Sequence, residues 1–133
     1  MRLDNILGIV SQIQAGKGVS QGRWIEGRMV RVLAGGTDTP TKYTAAGLSY
    51  VPAGVRTSVH THRSEELAFI VCGSGVVDID GTEYPVVAGD LLLVESNVPH
   101  QTWADDDSDL GVFWTYAPPD SVARWSNPLR VDG

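Results

Sequence analysis

The chain has one cysteine, Cys72, among its 133 residues, which excludes a disulfide framework. Positive charge is also scarce: ten Lys plus Arg stand against sixteen Asp plus Glu, a net charge of −6. A nucleic-acid surface needs a basic stripe to neutralise phosphates, so DNA and RNA are not expected partners. No apolar run approaches the roughly 20 residues of a membrane-spanning helix. Residues 1–13 are interrupted by Asp4, Asn5, Ser11 and Gln12, too often for a signal peptide. No membrane partner is expected, and the cytoplasm is the expected location. The length itself excludes large α/β barrels and repeat arrays, leaving one domain able to bury about two-thirds of its unfolded surface.

What is present is mostly a pattern of period two. Near the start, Leu3, Ile6, Leu7 and Val10 recur at i, i+3, i+4 and i+7, predicting a short amphipathic helix against the domain or a neighbouring subunit. A Gly-rich polar link follows, so residues 1–22 read as helix and link and 23–133 as one barrel with an irregular tail. Strands are predicted over 29–33, 42–51, 57–60, 67–72, 76–80, 91–95, 98–103 and 110–117. Gly and Pro pairs punctuate them at short spacing, which indicates an all-β sandwich or barrel. Asp80-Gly81 suits a type I′ hairpin, whose two central residues need positive φ. The run Asp105, Asp106, Asp107 and Asp109 reads as a solvated turn, because it lacks the loop pattern of a calcium site. After Pro118-Pro119 the tail carries Trp125 and is expected to pack as irregular structure or a short helix.

The three histidines are placed for chemistry. Residues i and i+2 of a strand share a face, so His60 and His62 present two imidazoles to one point, and imidazole is a common metal ligand. A carboxylate follows at once, Glu65 or Glu66, and returns to that point after a turn. His100, after Pro99, is the third imidazole. The run Gly54-x5-His60-x-His62-x3-Glu66-x6-Gly73, with Gly81-x5-Val87-x-Gly89 and Pro99-His100 beyond it, resembles the two motifs of the cupin superfamily. The first motif matches throughout; the second has Val87 for its usual Pro and Ala104 for an occasional Asn. The resemblance spans about residues 48–116.

The resemblance implies an all-β double-stranded β-helix, or jelly-roll barrel, with a metal in its mouth. Its implied ligands are His60, His62, Glu66 and His100, with Glu65 left outward near Arg63. Three imidazoles and one carboxylate suit a divalent transition metal, with Fe, Mn or Ni fitting the set well and Zn remaining possible. Strand parity turns Ser58, Arg56, Ala68, Ile70, Cys72 and Thr102 inward, with Tyr50, Trp114 and Tyr116 as further wall candidates. Cys72 reads as a small buried hydrophobe. Tyr50 and Arg56 are the candidate catalytic residues.

Three functions follow as expectations. The first is an oxidoreductase, a dioxygenase of a small chelating carbonyl or phenolic compound, favoured by an apolar, aromatic complement that keeps a pocket dry. The second is a metal-assisted isomerase or lyase of a small carbonyl or sugar-like substrate. The third is a non-catalytic small-ligand-binding cupin. Sensors of that kind usually carry a fused DNA-binding domain, for which residues 1–22 are too few. The resemblance further implies a homodimer, and the stripe Leu3/Ile6/Leu7/Val10 is the expected contact, since so short a helix is marginal without a packing partner.

Overall fold

The computed structural model of the chain describes residues 1–126. Nine strands follow helix α1 (Ile6–Gln14): β1 (Arg23–Ile25), β2 (Arg28–Ala34), β3 (Ala45–Val51), β4 (Glu65–Cys72), β5 (Ser74–Ile79), β6 (Thr82–Val87), β7 (Leu91–Val94), β8 (His100–Ala104) and β9 (Leu110–Ala117). They form a six-stranded sheet in the order β1-β2-β3-β9-β4-β7 and a three-stranded sheet in the order β6-β5-β8. Every pairing is antiparallel, giving the jelly-roll barrel that the resemblance implies.

Alternation along the strands sorts side chains into separate clusters. Between the sheets lie Val51, Ala68, Ile70, Val77, Val86, Ala104, Leu110 and Val112. Behind the large sheet, Leu48, Tyr50 and Cys72 pack beneath Ile9, Val10 and Ile13 of α1. At one end of the barrel, Ile25, Val30, Ala45, Trp114 and Tyr116 meet Val122 and Trp125. Those last two belong to a 3-10 turn (Pro119–Val122) and the short helix α2 (Ala123–Ser126). The tail expected after Pro119 therefore folds back as far as Ser126, and its remainder, 127–133, lies outside the described residues.

Gly73 and Gly47 are among the glycines required by close approach. Gly73 joins β4 to β5 at φ 82°, and a Cβ there would lie 1.8 Å from the Asp109 carbonyl oxygen. Gly47 lies beneath Trp114, where a Cβ would stand 2.3 Å from the indole ring. Asp80-Gly81 forms the anticipated hairpin with both φ values positive, 53° and 86°. The acidic run is a turn between β8 and β9. Asp109 accepts hydrogen bonds from the Tyr50 hydroxyl at 3.1 Å and the Ala53 amide at 2.9 Å.

Several expectations need correction. Residues 57–60 make no regular strand; the segment is tied to β8 by isolated bridges at Arg56–Trp103 and His60–His100 and by hydrogen bonds between Thr57 and both Gln101 and Thr102. β1 was not foreseen, because its turn is Glu26-Gly27 with Glu26 at φ 51°, a conformation glutamate seldom adopts. The stripe on α1 is not one contact face. Val10 is buried and Ile6 packs against the same cluster, whereas Leu3 and Leu7 point away, Leu7 being 76% exposed. The buried side runs instead through Ile9, Val10 and Ile13. No helix among the described residues is long and apolar enough to cross a membrane.

Candidate metal centre

The two sheets bring three segments to one point inside the barrel mouth. His60 and His62 come from the irregular segment before β4, Glu66 from the second residue of β4, and His100 from the first residue of β8. His60 is tied to β8 by reciprocal backbone bonds with His100, both 3.0 Å. One ring nitrogen from each of His60, His62 and His100 lies within 4.8 Å of the others. Glu66 Oε1 stands 3.0 Å from His62 Nε2 and 3.5 Å from His100 Nε2. Glu65 faces outward, and Arg63 pairs with Asp120 at 2.6 Å rather than with it.

Each imidazole is oriented by its own neighbourhood. His60 Nδ1 lies 3.0 Å from the Ser58 carbonyl, His62 Nδ1 2.8 Å from that of Ser64, and His100 Nδ1 2.9 Å from that of Val98. A proton held at Nδ1 by a carbonyl leaves the lone pair on Nε2, the arrangement that metal-ligating histidines share. Ser64 is itself fixed, since its amide donates to Ser121 Oγ at 3.0 Å and its hydroxyl donates to the Pro118 carbonyl.

The donor set fits a divalent ion. Two ligands at about 2.1 Å from one ion, at right angles, stand about 3.0 Å apart, close to the observed Glu66–imidazole separations. His100 Nε2 is buried, aimed at the cluster and without a hydrogen-bond partner among the described residues. Such an atom is costly unless something occupies the space before it. Burial would raise the Glu66 carboxyl, but the neighbouring His100 and His62 imidazoles outweigh it and lower the pKa from 4.5 to about 2. The group is therefore an anion at neutral pH, as a ligand must be.

The adjoining cavity, about 40 Å³, is lined by Arg28, Ser49, Thr57, Thr102, Trp114, Tyr116 and Trp125 among others. Thr102 thus faces it as strand parity predicts, the wall candidates Trp114 and Tyr116 face it too, and Ala68 and Ile70 sit in the core beneath. Other wall assignments fail for identifiable reasons. Without a regular strand at 57–60, parity shifts by one: Thr57 is buried, while Ser58 turns out to bond Glu26 at 3.0 Å. Arg56 lies over the outer Trp103 ring at 4.1 Å. Tyr50 faces α1, and burial and Asp109 raise its hydroxyl above the usual phenol range; neither catalytic candidate reaches the cavity. Cys72 is carried to the α1 side by an irregularity in the β4–β9 register after Ile70. Burial raises its thiol, consistent with a small packing residue.

Arg28, Ser49, Thr57 and Trp125 were not singled out as wall residues. Arg28 was legible in principle, since it shares parity with Val30 and Val32. Trp125 was not, because nothing local in the sequence directs the tail back over the barrel.

Comparison with known proteins agrees with this architecture. A family model described as the AraC-like ligand binding domain matches residues 46–130. Over 52 residues the chain is 46% identical to an acireductone dioxygenase of Gluconacetobacter diazotrophicus, covering 36% of the chain and 28% of that enzyme. The chain spans less than half the length of the curated relatives it matches, 42% and 28%. Among solved structures, an RmlC-like cupin from Shewanella frigidimarina superposes with a TM-score of 0.62 at 23% identity, covering 73% of this chain and 81% of that one. The DMSP lyase DddQ from Ruegeria pomeroyi superposes at 0.61 with 26% identity, covering 66% of this chain and 45% of that one.

Proposed function

The chain belongs to the AraC-like ligand binding domain family of the cupin superfamily, and on that basis we propose a metal-dependent enzyme acting on a small organic molecule. The ligands in this reading are His60, His62, Glu66 and His100, holding Fe, Mn, Ni or Zn. The observation that carries it is the convergence of three carbonyl-oriented imidazoles and one ionised carboxylate on a buried point beside a cavity.

We assign an oxygenase-type reaction on a chelating carbonyl or phenolic compound. The similarity to the acireductone dioxygenase supports this choice. A divalent ion held at the site supplies the electron-pair acceptor that such chemistry requires. The chain's own residues do the rest. Glu66 contributes one negative charge, the Nδ1–carbonyl bonds keep the rings aimed, and Val112, Trp114, Tyr116 and Trp125 exclude water from the cavity.

A lyase is the second reading, favoured by the likeness to DddQ and by a hydroxyl in the cavity wall. The Tyr116 ring lies tilted against the His62 ring with centroids 4.6 Å apart, and its oxygen accepts from Trp125 Nε1 at 3.1 Å, a position from which a phenol can exchange protons with a ligand. Metal analysis of protein purified without chelator, with oxygen-electrode screening of diketones, catechols and hydroxyketones, separates the two. Iron with oxygen uptake supports the oxygenase. Zinc or manganese with no oxygen consumed supports the lyase, and a protein that retains no transition metal overturns both.

A homodimer in the cytoplasm is part of the same proposal; there the lone thiol of Cys72 stays reduced. The surface assigned to the second copy is the outer face of β4 and β7. Leu67 pairs with Leu93 and Phe69 with Leu91 across these strands, all four are exposed, and β7 ends the six-stranded sheet. An identical edge added about a two-fold axis covers the cluster and the free edge together.

A further inference from the structure

A buried cation shares the cavity with the candidate ligands. Arg28 is the first residue of β2, placed opposite Ile25 by the tight Glu26-Gly27 turn. Alternation with Val30 points it at the barrel end. Its side chain is 5% exposed and lines the same cavity as His60, Glu66 and His100. The guanidinium carbon lies over the Trp125 ring at 4.5 Å, which holds a charged plane against an aromatic face. Its acidic neighbour Glu26 stands 3.5 Å away, is 51% exposed and also accepts the Ser58 hydroxyl.

Burying an arginine is costly, and a planar guanidinium matches a carboxylate in two parallel bonds. Glu26 at 3.5 Å offsets the charge of Arg28 from outside the cavity, and a divalent ion beside the single carboxylate Glu66 still leaves an excess of positive charge that an anionic ligand balances. The walls otherwise offer neutral groups, among them Ser49, Thr57 and Thr102. The space of about 40 Å³ holds only about three waters, which limits a ligand to a few heavy atoms.

We propose that the substrate is a small carboxylic acid of about two or three carbons, bound with its carboxylate on Arg28 and its second oxygen toward the His60/His62/Glu66/His100 cluster. This inference rests on the metal reading for the second oxygen but not for the carboxylate. Arg28 is a specificity-determining residue, and Trp125 holds its guanidinium in place.

The test is calorimetric titration of the metal-loaded and the metal-free full chain with glycolate, pyruvate and the neutral hydroxyacetone, with metal content measured in parallel. Glycolate is expected to bind the loaded protein at least tenfold more tightly than hydroxyacetone. Arg28→Met is expected to erase that preference while metal content stays unchanged, and Arg28→Lys to keep part of it. Equal binding of acid and neutral ligand, an undiminished preference in Arg28→Met, or no uptake of either acid at millimolar concentration overturns the proposal. Should Arg28→Met fail to fold, the acid-to-neutral ratio of the unsubstituted protein decides. A chain that retains no metal but still prefers the acids refutes the metal reading and leaves Arg28 standing.

Discussion

Glu66 and His62 meet within the cluster at 3.0 Å, and each carries a prediction. The Glu66 carboxyl, lowered from 4.5 to about 2, is more acidic in the folded chain than in the unfolded one. A group shifted in that direction stabilises the fold above about pH 4.5 and loses its contribution progressively as pH falls toward 2. Denaturant titrations of metal-free protein should therefore show stability falling on acidification through that window, with a contribution on the order of 3 kcal/mol. Glu66→Gln should flatten the profile; an unchanged slope would show that the carboxylate is not held as described. For His62→Ala, metal content measured by elemental analysis should fall at least tenfold while the far-ultraviolet circular dichroism of the barrel persists. The lost ring contact with Tyr116 should lower the melting temperature by several degrees, not abolish folding.

At the scale of elements, the junction between β4 and β5 controls how the site strand is placed. Glu66 is the second residue of β4 and Gly73 follows its last, in a left-handed conformation with the Asp109 carbonyl where a side chain would go. Gly73→Ala combines an unfavourable φ with a backbone clash, so it should destabilise by about 3 kcal/mol or more or prevent folding. Gly81→Ala is the control: its φ is also positive, at 86°, but nothing lies within 4 Å of a Cβ there, so thermal melts should show a loss of only about 1 kcal/mol. Elements such as these were legible in sequence because turn residues and alternation are local signals. Strand β9 appeared over its full length, and three histidines with Glu66 stood out by spacing. Where the backbone leaves regular geometry the alternation rule stops working. That is why Ser58 was exchanged for Thr57 and why Cys72 emerged behind the sheet rather than inside it.

At the scale of the whole molecule, an apolar cluster of Leu67, Phe69, Leu91 and Leu93 stands exposed among the described residues at the free edge of the large sheet. If a second copy covers it, sedimentation at micromolar concentration should give a dimer, and Leu91→Lys with Leu93→Lys should give a folded monomer with unchanged metal content. A monomeric unsubstituted chain, or a dimer indifferent to these substitutions, removes the assignment. Tertiary placement of this kind was hidden in the sequence, as was the return of Trp125 over Arg28, because both depend on which distant segments meet. The carbonyl that orients each imidazole, by contrast, belongs to a residue two positions away. Ring direction is thus inherited first from neighbouring peptide units, with Tyr116 and Trp125 in ring contact with His62 and His60 beside them. Ancestral drift at Ser49 or Thr57 could accordingly retune which guest is admitted while the three rings kept their bearing, so a barrel of this build can change diet without relearning how to grip.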